Sequence, residues 1–239
     1  MQLFKKKKIV IDCITDNGFA FEFCRPDKAV KFIPNWWREL PGHSMNMKHC
    51  RGFTALYKNS FIYPSWTSFV LNMHSHKDRS FDWVCPDEFK IEPVSPHSLG
   101  GFQHEHHQIF RLDSPWRMIC KEDVEFMWSA PVYSNKTAFD LQALPGLVNP
   151  HYTYAASINF NVPYKDNPYQ IRVDAGDPLV CMTPLTEREV VFNYRLVSRQ
   201  EILTYTMQNH FLIAPTMYHT VKNLIDRKES NKNKCPFHK

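Results

Sequence analysis

Paired cysteines, glycine and long apolar runs are what this 239-residue chain lacks. Its seven cysteines are scattered singly, from Cys13 to Cys235, with no CxxC pair. An odd number of isolated thiols argues against a disulfide framework and fits a reducing compartment inside a cell. No apolar stretch approaches the roughly 20 residues that cross a bilayer. No apolar leader is read at the start either, so no membrane partner is expected. Glycine is scarce, 7 residues against 17 prolines. The glycine-based signatures GxSxG, the Walker loop and the Rossmann fingerprint are missing, as is the zincin motif. That removes the standard nucleophile, nucleotide and protease sites. A basic stripe with interleaved aromatics is not seen. The net charge of +5 is read partly in Lys5 to Lys8 and in Lys232, Lys234 and Lys239, basic ends on a nearly neutral body. Nucleic acid is therefore not expected as a partner.

What is present is apolar and aromatic: 43% hydrophobic and 14% aromatic residues. Burying that much apolar surface offsets chain entropy, so the chain folds. Short runs of β-branched and aromatic residues, punctuated by proline, predict a mainly β fold. Strands are expected over Ile9–Ile14, Phe19–Phe23, Gly52–Tyr57, Phe61–Tyr63, Trp66–Leu71, Phe81–Val84, Phe89–Val94, Ile109–Leu112, Trp116–Cys120, Val124–Ser129 and Pro131–Tyr133. Further strands are expected over Tyr152–Tyr154, Ile158–Val162, Gln170–Val173, Leu179–Met182 and Val190–Tyr194. The first two are read as a hairpin about Asp16-Asn17-Gly18. The spacing suggests a single-domain β-sandwich or jelly roll, double-stranded β-helix-like, with a short N-terminal helix. Ser198 and Glu201 form a capping box that starts a helical pattern, and Met217 to Arg227 reads as a second helical piece. The expected division is a β-rich core domain over 1–197 and a C-terminal helical extension with a polar tail over 198–239.

Two stretches stand out as sites. Ile33-Pro34-Asn35-Trp36-Trp37-Arg38-Glu39-Leu40-Pro41 is read as one or two helical turns between prolines. Adjacent tryptophans cannot both face one core from a helix, so one anchors the segment and the other is exposed or packed against a neighbouring segment. Exposed tryptophan beside arginine is a protein-binding composition, which makes Trp36, Trp37 and Arg38 candidate partner-binding residues.

The second stretch is Gly100-Gly101-Phe102-Gln103-His104-Glu105-His106-His107-Gln108. If Gln103 to His107 is extended, His104 and His106 share one face, half a site for a divalent metal such as iron, manganese or zinc. Further ligands would have to come from His97, His151, Glu125 or Glu187, none of them in a marking position. A histidine-rich polar seam without metal is the competing reading. His76-Lys77-Asp78 reads as a hairpin tip, and Asp174-Ala175-Gly176-Asp177-Pro178 as a tight turn. Thr186 to Glu189 reads as a solvated edge or ion-pair cluster, and Cys235-Pro236-Phe237-His238 as a lone half-site.

Phe32-Ile33-Pro34-Asn35-Trp36-Trp37, Lys48-His49-Cys50-Arg51-Gly52-Phe53, Ser114-Pro115-Trp116 and Ala175-Gly176-Asp177-Pro178 together resemble a family of unknown function from marine T4-like tailed phages and some bacteria. The resemblance covers most of residues 30–195. It implies a compact β-rich fold and a viral origin, and it supplies no catalytic residues. The expected function is that of a non-enzymatic phage structural or assembly protein with no cofactor. Its partners would be other phage proteins or itself, in the host cytoplasm or the virion. The alternative is a cupin-like, oxygenase-type metal-dependent enzyme built on His104 and His106.

Overall fold

A computed structural model describes residues 7–42, 45–75, 77–86, 89, 91–94, 106–131, 140–210 and 223, with backbone alone at 155–156 and 206–210. The chain opens with β1 (Ile9–Thr15), whose Ile9, Ile11 and Cys13 alternate into the core. The expected hairpin is instead a strand-to-helix junction. Asn17 caps α1 (Gly18–Phe23), its Oδ1 accepting the Ala20 N–H at 2.8 Å. That side chain satisfies an amide that a first helical turn leaves open. Phe19 and Phe23, which alternate acceptably for a strand, instead meet at i, i+4 with ring centroids 5.2 Å apart.

The short strand β2 (Asp27–Lys28) and a 3-10 turn (Ala29–Phe32) lead to α2 (Asn35–Glu39). A strand expected over Gly52–Tyr57 is the helix α3 (Arg51–Asn59). Phe53 and Tyr57, four apart, are its buried residues, so helical spacing of the burial prevails over the strand preference of aromatics. There follow β3 (Phe61–Pro64), β4 (Phe69–Met73), β5 (Phe81–Val84) and β6 (Ile91–Pro93). Two expected strands are one: β7 (His107–Cys120) runs straight through Pro115.

The remaining strands are β8 (Phe126–Ser129), β9 (Gln142–Ala143), β10 (Gly146–Val148), β11 (Ala155–Pro163), β12 (Tyr169–Val173), β13 (Pro178–Pro184) and β14 (Val190–Leu196). Tyr152–Tyr154 is a turn leading into β11 rather than a strand. Val132 and Tyr133 lie outside the described residues. Last comes α4 (Arg199–His210), with Ser198 Oγ accepting the Glu201 N–H at 3.3 Å, half of the expected capping box. The helical piece read over Met217 to Arg227 lies, but for Asn223, outside the described residues.

Three sheets enclose one core. The first runs β14-β1-β7-β11-β9 with β6 on β7, the second β10-β8-β13-β3-β2, the third β12-β4-β5. Among the described strands β1 and β14 pair in parallel and the other ladders are antiparallel, with one isolated parallel bridge between Ser75 and Lys165. Alternate residues of these strands, Phe110, Leu112, Trp116, Phe126, Phe160, Val180 and Met182 among them, fill the space between. The protein is therefore mainly β, a sandwich-like single domain with few helices. Among the described residues no helix is long and apolar enough to cross a membrane. α4 lies on the body: Ile202 is buried, Tyr205 meets Tyr154 edge-on at 5.6 Å, and Arg199 reaches Asp16 at 2.9 Å.

Candidate functional site

The Trp36-Trp37 segment belongs to a helical layer on the outer face of the second sheet. In β3 and β13, Phe61, Tyr63, Val180 and Met182 point into the main core, so Ile62 and Cys181 point the other way. A second, smaller cluster covers them, made by Ala29, Trp37, Phe53 and Tyr57. Trp37 is its centre, 4.1 Å from the Phe53 ring and edge-on to Tyr57 at 5.3 Å. Burial pushes the Cys181 thiol up from its ordinary range. The loop between α2 and α3 is tied down by polar groups. Lys48 Nζ donates to the carbonyl of Arg38 at 2.8 Å and to that of Leu40, which occupies the end of α2 where carbonyls lack helical partners. Asn46 accepts the Lys48 N–H at 2.9 Å and donates to the Pro41 carbonyl at 2.6 Å.

The expected split of the two tryptophans is what the helix shows. Trp37 is 5% exposed and Trp36 is 42% exposed, its ring stacked near Trp37 at 6.4 Å. Val30, Met45 and Leu56 are the other large apolar side chains that this layer leaves open. Charge reinforces the picture. Residues 28–59 hold Lys28, Lys31, Arg38, Lys48, Arg51 and Lys58 against Glu39 alone, six minus one, which equals the +5 of the whole chain. Lys31 is engaged by Asp27 at 2.6 Å, Lys28 lies over the Phe61 ring and Lys48 is spent on carbonyls. Arg38, Arg51 and Lys58 are exposed, with no ion pair among the described residues. The basic ends drew attention away from this surplus. Counting charge by segment rather than by terminus reveals it.

A second feature is a cleft of about 560 Å³. The β3–β4 loop and the β12–β13 turn clasp each other beside it: Gly176 N–H donates to the Ser65 carbonyl at 2.8 Å, and Ser65 N–H to that of Asp177 at 2.7 Å. Asp174 to Pro178 is the tight turn expected of it, with Gly176 at φ +93, where a side chain would be strained. Asp177 Oδ2 accepts the Asp174 N–H, so this carboxylate is committed to the turn. The cleft is walled by Phe19, Trp66 and Phe89 and rimmed by the Asp16–Arg199 ion pair.

Deeper in, Ser114-Pro115-Trp116 forms a bulge, where Ala155 pairs with Arg117 but Ser157 with Asp113. Arg117 Nη1 donates to the carbonyls of Ser114 and Trp116 at 2.7 and 3.1 Å, and Ser114 Oγ accepts the Trp116 N–H at 2.9 Å. Tyr63 and Ser114 hydroxyls bond to each other within the core. Burial drives the Tyr63 phenol far above its ordinary range, so it stays a neutral hydrogen-bonding group. The four motifs behind the resemblance thus have structural roles: two build the cluster on the sheet, one a bulge and one a clasp.

The histidine run has a different setting from the one expected. His104, with Gly100, Gly101 and His97, lies outside the described residues. His106 is exposed in the turn before β7, its carbonyl accepting the Tyr164 N–H at 2.7 Å, and the strand begins only at His107. His151 is at the far end of β7, with Nδ1 3.1 Å from the Cys120 carbonyl, so that nitrogen carries the proton. Among the described residues, no three His, Cys, Asp or Glu side chains gather closely enough to hold a metal. His76, Cys235 and His238 also lie outside the described residues. The Thr186 to Glu189 cluster is intramolecular: Glu189 pairs with Lys8 at 2.9 Å and Arg188 with both oxygens of Glu122. No protein-family model, curated protein or solved structure matches this chain.

Proposed function

We propose that this is a structural or assembly protein that works by protein–protein contact, through the helical layer of residues 29–59, on a partner with an acidic surface. The observation that supports this most is the pairing of one anchored and one open tryptophan. Trp37 fixes the segment to the sheet, and Trp36 stands 42% exposed in the same helical layer as the exposed Arg38, Arg51 and Lys58. A large aromatic held rigid by its neighbour loses little freedom on binding, and a tryptophan ringed by arginine is a hot-spot composition. Arg38, Arg51 and Lys58 would steer an acidic partner and fix its orientation. The resemblance to the marine phage family supports a phage setting, in the host cytoplasm or the virion.

The test is crosslinking from a photoreactive residue at position 36 in phage-infected cells, followed by binding measurements with the captured protein. Trp36→Ala is expected to weaken binding by about 30-fold, the scale of a hot-spot residue of about 2 kcal/mol. Arg38→Glu is expected to slow association and remove most of its salt dependence. Unchanged binding in both variants sinks the reading. Salt-sensitive capture of single-stranded DNA or anionic vesicles, lost in the same variants, would replace the acidic protein with another partner.

A further inference from the structure

Among the described residues the first sheet ends in an open edge. β14 pairs with β1 on one side only. Two bonds fix which of its groups are used: Ile9 N–H donates to the Glu189 carbonyl and Val197 N–H to that of Thr15, both at 2.9 Å. In a parallel ladder this phase directs the odd-numbered residues, Val191, Asn193 and Arg195, toward β1. The N–H and C=O groups of Val190, Phe192, Tyr194 and Leu196 therefore point away from the sheet. Among the described residues none of them is hydrogen-bonded.

Among the described residues the edge carries one charged side chain, Arg195, which turns outward to Glu201 at 3.3 Å, and few other guards. β14 contains no proline, its pairing with β1 shows no bulge, and no charged side chain turns inward. Phe192 and Tyr194 turn their rings to the core side, Phe192 stacking on Phe61 at 4.3 Å and Tyr194 donating its hydroxyl to the Pro26 carbonyl. Leu196, at the end of the strand, is 52% exposed.

We infer that β14 pairs antiparallel with β14 of a second copy of this chain, with Asn193 on the two-fold axis, joining the two first sheets into one. The strand is complementary to itself in that register and no other residue type has to be invoked. Val190 falls opposite Leu196 of the other copy and Phe192 opposite Tyr194, an apolar and an aromatic cross-strand pair. On the other face Val191 falls opposite Arg195, so no like charges meet. The outward-pointing residues are the ones that such a pair needs, four residue pairs exchanging two bonds each, or about eight hydrogen bonds. This is independent of the helical layer, which lies on the second sheet.

Sedimentation and light scattering on the full chain should give a mass twice the 28.3 kDa of one chain at high micromolar concentration. The register makes opposed predictions for a single position. Val191→Glu places two carboxylates opposite two Arg195 guanidiniums and should tighten the dimer by roughly tenfold; Val191→Arg sets like charges opposite and should loosen it by a similar factor. Leu196→Pro removes an N–H that β1 does not use, so the monomer keeps its ladder while the dimer weakens. Amide exchange at Phe192 and Tyr194 should slow on dimerisation. A monomeric wild type overturns the inference, including the case where crosslinking finds a strand of a different protein on β14. So does a dimer in which Val191→Glu and Val191→Arg act alike, or in which those two amides stay unprotected.

Discussion

Two aromatic clusters share the second sheet, one on each face, and they are held very differently. On the inner face the main core joins 31 of the described residues from every large strand, with Trp116, Phe110 and Phe160 fully buried. On the outer face six residues form the cluster under α2 and α3, and its two central aromatics, Trp37 and Phe53, keep 5% and 9% of their surface exposed. The inner cluster is closed by strands from three sheets. The outer one is closed by short helices, of five and nine residues, that could not persist without the sheet beneath them. The difference implies a hierarchy. The sandwich can stand without its helical layer, but the layer cannot stand without the sandwich, and it is the layer that carries the open tryptophan.

The sharpest way to break that comparison is to delete a tryptophan from each side. Trp116→Ala should cost about 3–5 kcal/mol and shift the whole unfolding transition in denaturant. Its indole N–H is buried with no partner among the described residues, so Trp116→Phe, which drops that donor and keeps much of the volume, should recover most of the loss. Trp37→Ala should cost less, about 3 kcal/mol, the lower end of the range for a buried tryptophan. Its mark should be local: fast amide exchange through α3 while the strands of the first sheet stay protected. A uniform loss of protection would show the two clusters to be one cooperative unit.

The hierarchy was only half legible in the sequence. β12 is readable because period-two burial is local information, and β13 and β14 because a short apolar run bounded by turn residues is local too. α1 and α3 read as strands in the sequence because six to nine residues rich in Phe and Tyr satisfy both periods. What decided them was an Asn17 cap and a pair of aromatics four apart. β7 read as two strands since proline removes a ladder donor, yet Pro115 falls inside a bulge where no partner awaits it. The parallel pairing of β1 with β14 leaves no local trace at all, being a contact between residues about 180 positions apart. At the candidate site the unequal fates of Trp36 and Trp37 followed from helix geometry. The basic surplus around them was hidden by the more conspicuous charged ends.

A smaller effect appears with pH, in both clusters. Burial holds the Tyr63 and Tyr194 phenols and the Cys13 thiol of the core side well above their ordinary values, and it raises the Cys181 thiol of the outer cluster as well. The folded chain keeps these protons where the unfolded chain releases them. Stability is therefore whole below the ordinary thiol and phenol ranges, about 8.5 and 10, and falls as pH rises through them toward the higher folded values. Tyr63→Phe should cost about 1 kcal/mol at neutral pH for the lost bond to Ser114. It should also make the alkaline decline of the melting temperature shallower. An unchanged alkaline slope would show that Tyr63 is not among the groups that set it.

The smallest expected effect on stability is the most informative about function. Trp36→Ala removes a ring that is 42% exposed and stacks near Trp37 without entering the buried cluster, so its cost should stay within about 0.5 kcal/mol. Partner affinity should fall nonetheless, because a hot-spot ring acts in the complex and not in the free chain. Trp37→Ala, read beside it, should lower affinity by releasing the helix that presents position 36, and should lower stability as well. A Trp36→Ala protein that is substantially destabilised would make Trp36 a second anchor of the layer, with α2 held by both rings. A normally stable Trp36→Ala protein with lost binding would confine the anchoring role to Trp37 and the contact role to its neighbour.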